Sequence, residues 1–201
     1  MRLDAVAGAT DSTLDVLAAA LARGEVVGLP TDTVYGVGAD PTVEGAVARL
    51  FELKGRPGHV AVPLLVADLA QARTVAVVPP AGERLAAAFW PGALTVVLPA
   101  RIDLGLGGDG ATVGVRCAAH PVMRAACLRC GPLAVTSANL HGQSPLTTAD
   151  AVAATFPDLL VVDAGLCDGV PSTVVDATGD EVRLLREGGV AWEAVLDSLR
   201  S

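Results

Sequence analysis

Aromatic side chains are nearly absent: three Phe, two Trp and one Tyr make up 3% of 201 residues. A core for this chain must therefore be built from Ala, Val and Leu, which supply most of its 52% hydrophobic content. Small side chains that pack closely suit helices laid on a sheet. Basic residues are also few, 14 Lys and Arg against 22 Asp and Glu, for a net charge of −8. That balance argues against a broad basic face for nucleic acid and leaves room only for a local cluster of cations. No apolar run approaches the roughly 20 residues that cross a bilayer. The opening MRLDAVAGATDSTLDV lacks the basic start and apolar stretch of a signal peptide, so a cytoplasmic location is expected.

Several chemistries lack their signatures. No G-x-x-x-x-G-K-[ST] loop occurs. His59, His120 and His141 have no evident Ser or Cys nucleophile beside them, and the aspartates show no metal-cage spacing. Cys127 and Cys130 have the C-x-x-C spacing, but no second pair lies at zinc-finger distance. Together with Cys117 and Cys167 they read as reduced, structural thiols.

What is present is an alternation of strands and helices. Asp11 or Ser12 can cap a helix carrying Leu14, Leu17 and Leu21 on one face. A strand at Val26–Leu29 leads into GLPTDTVYGVGADP, residues 28–41, which reads as a glycine-rich turn offering N–H groups and hydroxyls to an anion before Thr42 caps the next helix. Val43, Ala46, Val47, Leu50 and Phe51 form the apolar face of that helix, which ends at Lys54-Gly55-Arg56-Pro57. Further strands are expected at 62–66, 75–78, 94–98, 112–116, 133–137, 159–163 and 172–176, with 182–185 as a hairpin partner of the last. Helices are expected at 67–72, from Pro80 to Trp90, from Pro121 to Arg129, from Thr147 or Thr148 to Thr155, and from Ala191 to Leu199. The glycine-rich segment 99–111 reads as a surface connection, and 104–110 and 164–171 as candidate lids. One three-layer α/β domain over residues 1–201, with a mixed sheet, is the expectation.

Hydroxyls recur at strand ends: Thr31 and Thr33, then Thr136, Ser137 and Asn139, then Ser172 and Thr173, with Arg116 at another. In open α/β sheets ligands bind where such ends converge. Lys54, Arg56 and Arg186 add charge suited to phosphates.

The ordered set PTDTVYGVGADP, KGRP, FWPGALTVVLP, VGVRCAAHP, TSAN, STVVD and LLREG closely resembles the YrdC-like family of L-threonylcarbamoyladenylate synthases, from about residue 10 to about 190. The resemblance implies a three-layer YrdC/RibB-like fold, a twisted mixed parallel and antiparallel sheet flanked by helices. It also implies a nucleotidyltransferase that makes threonylcarbamoyl-AMP and diphosphate from L-threonine, bicarbonate and ATP, for the t6A modification of tRNA. Mg²⁺ would accompany ATP, no protein metal site is implied, and a separate transferase would accept the product. Carried onto this chain, Lys54 and Arg56 are the expected catalytic residues and face the ATP phosphates. Thr31, Thr33, Tyr35, Arg116, Thr136 and Ser172 are expected on the threonine and bicarbonate side, with Arg116 on the threonine carboxylate. Thr112, Ser137, Ala138, Asn139 and Arg186 are expected on the nucleotide side. Lys54 and Arg56 are both expected to be solvent-facing in a cleft. Longer relatives carry a further C-terminal domain. GHVAV separates Pro57 from Pro63 where the family has a shorter spacer, and His141 follows TSAN where a small hydroxyl is usual. The alternatives are an RNA-binding module of the same fold without catalysis, and a carbamoyl-adenylate-forming domain; for the synthase itself, any direct tRNA contact would be weak.

Overall fold

The sheet is assembled from short strands, and the computed structural model describes residues 1–55, 60–140 and 142–200. Arg56 and His141 lie outside the described residues. In chain order the elements are β1 (Arg2–Asp4), α1 (Asp11–Ala22), β2 (Val27–Leu29), β3 (Gly36–Ala39), α2 (Ala46–Lys54), β4 (Leu64–Leu65), α3 (Leu69–Val75), α4 (Pro80–Phe89) and β5 (Leu94–Pro99). They continue with β6 (Thr112–Arg116), α5 (Pro121–Cys130), β7 (Leu133–Ser137), α6 (Ala149–Thr155), β8 (Leu160–Asp163), β9 (Thr173–Asp176), β10 (Arg183–Arg186) and α7 (Trp192–Arg200). The strands form one sheet in the order β1-β8-β2-β3-β7-β4-β6-β5-β9-β10. Pairs β1–β8, β2–β8, β4–β6 and β5–β9 are parallel and the other five antiparallel, so the expected mixed sheet is present.

Neighbouring strand residues point to opposite faces, and each face has its own core. On one, Leu17 and Leu21 of α1 and Met123 of α5 pack on Val27, Leu29, Leu65, Leu133, Val135 and Val162. On the other, Leu50 of α2, Leu85 of α4, Val152 of α6 and Val195 of α7 pack on Val37, Leu64, Ala134, Val115 and Val161. Each fully buried Leu or Val adds about 1.5–3 kcal/mol.

Three local expectations are corrected. Residues 36–39 are a strand, not part of a turn: β3 pairs antiparallel with β2 and β7. Glycine is required there by close approach, since a Cβ on Gly36 would lie 2.5 Å from Val135 Cγ1 and one on Gly38 2.9 Å from Val135 Cγ2. Helix α2 starts at Ala46 behind a left-handed Gly45, while Thr42 hydrogen-bonds to Asp40 instead of capping the helix. Residues 75–78 contribute only the bridge Ala76–Ala100. Strand β1 was not anticipated; its three residues, RLD, are too short a run to mark a strand, and it joins the edge of the sheet through β8.

Candidate active site

Thr112, Gly114 and Arg116 alternate along β6 and share one face, while Val113 and Val115 enter the core behind them. The same face receives Thr95 and Val97 of β5, Val135 and Ser137 of β7, Val174 of β9 and Arg186 of β10. With Thr31, Thr33 and Val34 they enclose a cavity of about 370 Å³, within the range that holds small ligands. Leu65 and Val135 line it too and belong to the α1–α5 core, so the cavity continues that face of the sheet beyond the two helices.

Arg116 is 6% exposed and held on every side. Nε donates to Gly92 O at 2.9 Å, Nη1 to Thr33 Oγ1 at 2.9 Å and Nη2 to Asp32 Oδ1 at 2.6 Å. A guanidinium has five N–H groups, so one remains on each terminal nitrogen. The threonine hydroxyls are ordered as well. Thr31 donates its only hydroxyl proton to Val34 O at 2.6 Å. Thr31 Oγ1 also accepts from Thr33 N at 3.1 Å and Val34 N at 3.2 Å, which fills its two lone pairs. Thr33 Oγ1 lies 2.9 Å from it and accepts from Arg116.

Arg186 is held differently. Nε and Nη2 donate to Ser172 O at 3.2 and 2.8 Å, and Nη2 also approaches Ser172 Oγ at 3.3 Å. No carboxylate pairs with it among the described residues. Burial, and then the like charge of Arg116, push its pKa down. An anion between the two guanidiniums would relieve that repulsion. Ser172 Oγ is 2.9 Å from Thr95 Oγ1.

Of the residues singled out from sequence, Thr31, Thr33, Thr112, Arg116, Thr136, Ser137, Ser172 and Arg186 line this one cavity. Lys54 does not line it, and the expectation that it faces solvent is corrected: it is 2% exposed. The end of α2 packs against the end of β7, where Lys54 Nζ donates to Ser137 O and, at 3.2 Å, to Asn139 Oδ1. Asn139 also accepts from Ser137 Oγ at 2.5 Å and donates to Leu140 O and Gln143 O, fixing the turn after β7. Ala138 is buried and contributes its N–H to Tyr35 O at 2.7 Å. Tyr35 is fully buried, away from the cavity lining, with its hydroxyl on Gly165 O. Arg56, expected beside Lys54, lies outside the described residues.

Sequence reasoning missed the strand-interior wall: Thr95, Val97, Gly114 and Val174. The T-x-G-x-R alternation of β6 was the available signal, because a glycine between two polar residues on one face leaves space above the sheet. Asp32, the partner of Arg116, was also missed. His120, beside Asp32 at the start of α5, has a buried Nδ1 without a hydrogen-bond partner; burial lowers its pKa, opposed by the Asp32 charge. All four cysteines are free thiols, and no group of three His, Cys, Asp or Glu side chains comes together among the described residues. No described helix is long and apolar enough to cross a membrane.

A mixed sheet whose open face carries two arginines and a set of oriented hydroxyls defines an α/β protein built to hold a polar, anionic ligand. More narrowly, this chain belongs to the Sua5–YciO–YrdC family, described as "Telomere recombination", whose profile matches residues 19–188. It is 39% identical over 186 residues to a putative threonylcarbamoyl-AMP synthase of Mycobacterium tuberculosis, covering 90% of this chain and 86% of that protein. It is 38% identical over 187 residues to the threonylcarbamoyl-AMP synthase of Pyrococcus abyssi, covering 90% of this chain but 55% of that protein. The crystal structure of P. abyssi Sua5 complexed with L-threonine superposes with a TM-score of 0.91 at 34% identity, over 98% of this chain and 60% of that one. The chain thus spans most of the mycobacterial relative and little more than half of the archaeal one.

Proposed function

We infer that this chain is a threonylcarbamoyl-AMP synthase, a nucleotidyltransferase that converts L-threonine, bicarbonate and ATP into threonylcarbamoyl-AMP, diphosphate and water. The observation that carries the reading is the pairing of Arg116 and Arg186 across one hydroxyl-lined cavity. Arg116 offers one N–H from each terminal nitrogen, the fork that a carboxylate accepts, and would take that of threonine. Arg186, without a counter-ion among the described residues, would meet the phosphates, with Thr112 at the same rim and Arg56 and Lys54 as the expected additional cations. Lys54, from its position, would act through Ser137 and Asn139.

The reaction requires no covalent nucleophile from the protein. The threonine amine adds to the carbon of bicarbonate, water leaves, and an oxygen of the resulting carbamate attacks the α-phosphorus of ATP as diphosphate departs. Positioning and charge stabilisation can carry such a displacement. ATP would enter as its magnesium complex. The described residues form no carboxylate cage, and Asp32 is engaged by Arg116, so the ion would take its ligands from phosphate and water. The product would pass to a separate transferase that modifies tRNA to t6A in the cytoplasm; the acidic balance of this chain leaves any direct tRNA contact weak. Incubation with ATP, Mg²⁺, bicarbonate and L-threonine tests the reading. Threonine-dependent diphosphate release with a product of the mass of threonylcarbamoyl-AMP is expected, and its absence overturns the assignment.

A further inference from the structure

The loop from residue 164 to 171 joins β8 to the cavity wall at Pro171 and Ser172. Of its own side chains, Cys167 is the one anchored in the core. Leu166 is 77% exposed and Val170 52%, and of its apolar residues only Cys167 is deeply buried. Its other anchors are hydrogen bonds, of which those at residues 164, 165 and 169 run to residues 33–35, while Pro171 O accepts from Gly189 N at 2.9 Å. Tyr35 Oη donates to Gly165 O at 2.9 Å and accepts from Ala164 N at 3.1 Å. Gly169 N donates to Thr33 O at 2.6 Å, and Cys167 N to Thr147 O at 2.9 Å. The backbone of Tyr35 also holds the turn after β7: its N–H donates to Leu146 O at 2.9 Å, and its carbonyl accepts from Ala138 N at 2.7 Å. One residue thus fastens two of the segments that wall the cavity, without entering it. From the far side of the root, Asp163 Oδ1 accepts from Gly165 N at 3.0 Å while Oδ2 accepts from Arg2. Beyond the loop, Ser172 O receives two hydrogen bonds from Arg186.

We propose that Tyr35 is a positioning residue for substrate binding: its buried hydroxyl tethers the 164–171 loop and thereby places Pro171, Ser172 and, through Ser172, Arg186. Burial keeps the phenol protonated, with its pKa pushed up to about 12, so the tether persists across the working pH range. Tyr35→Phe keeps the ring and deletes the hydroxyl's bonds with Ala164 N and Gly165 O and its longer, 3.5 Å contact with Asp163 Oδ1. The loop then samples positions in which the wall is incomplete. When only a fraction of molecules is binding-competent, apparent affinity falls by that fraction for every ligand that needs the wall.

The proposal rests on the synthase reading for its kinetic arm alone. In Tyr35→Phe, KM for L-threonine and for ATP should rise together, about five- to tenfold, the effect of losing one or two hydrogen bonds, with kcat at saturation within about twofold. Amide hydrogen exchange, read on the protein without substrates, should accelerate at Cys167 and Gly169 and stay unchanged in β6. A lowered Tm with unchanged KM values would make the hydroxyl merely structural and overturn the proposal, as would unchanged exchange in the loop. If the wild type releases no diphosphate, the synthase reading fails, and exchange at Cys167 and Gly169 decides the tether by itself. Should Tyr35→Phe not fold, Asp163→Ala, which removes the acceptor of Gly165 N from the other side of the root, decides by the same measurements.

Discussion

Arg116 and Arg186 open onto the same cavity and are held in opposite ways. Arg116 sits at the end of a central strand, ion-paired with Asp32 and fixed by Thr33 and Gly92. Arg186 sits on the edge strand of the sheet, is fastened to one carbonyl and one hydroxyl, and feels the charge of Arg116. A buried cation with a partner is a fixed template, because the ion pair sets its orientation and neutralises most of its charge. A half-buried cation with no carboxylate paired to it among the described residues is able to receive an anion. On the proposed reading, the first arginine takes threonine and the second the phosphates.

The largest expected effect comes from removing the template. Arg116→Ala leaves Asp32 as a nearly buried carboxylate without its cation, a loss of about 3–5 kcal/mol where such pairs are deeply buried and less here in proportion to the remaining exposure. kcat/KM for L-threonine should fall by at least about 100-fold, since two charge-assisted hydrogen bonds are lost. A threonine KM that does not change would move carboxylate recognition elsewhere. Next, Arg186→Ala should raise KM for ATP about tenfold while KM for L-threonine changes little, and the ATP effect should shrink with added salt. An equal rise in both constants would dissolve the division between the arginines.

A smaller effect tests the frame behind Arg116. Gly36→Ala forces a Cβ against Val135 and should lower stability by about 1–3 kcal/mol. Combining it with Val135→Ala should return part of the lost Tm, because the colliding methyl is gone; a simple sum of the two losses would show that the contact is not the cause. The smallest effect is expected at His120, beside Asp32. Its pKa in the folded chain lies below the ordinary value of about 6.5. The unfolded chain therefore takes up this proton first as pH falls, so stability declines as pH drops below about 6.5 and levels off once the folded-state imidazole is also charged. His120→Asn should flatten that part of the profile of Tm against pH, and an identical profile would exclude His120 as its source.

The sequence made the larger part of this legible. Helices with apolar periodicity, such as α1 and α2, and strands such as β6 and β7, appear close to where their patterns put them. The recurrence of hydroxyls at strand ends found Thr31, Thr33, Thr136, Ser137 and Ser172, all of which line one cavity. What stayed hidden depended on contacts distant in sequence. Gly36 and Gly38 look like turn glycines until Val135 is seen against them. Lys54 reads as a solvent-facing helix end until β7 closes over it, and Tyr35 reads as a pocket residue until its hydroxyl meets a loop 130 residues away. Asp32 has no local pattern to mark it, since its partner lies 84 positions along the chain.

A crystal structure with L-threonine and a non-hydrolysable ATP analogue tests the division of labour most directly. The expected result is one cavity holding both, with the threonine carboxylate on Arg116 and the phosphates on Arg186. Phosphates on Arg116, or threonine bound outside the cavity, would contradict it.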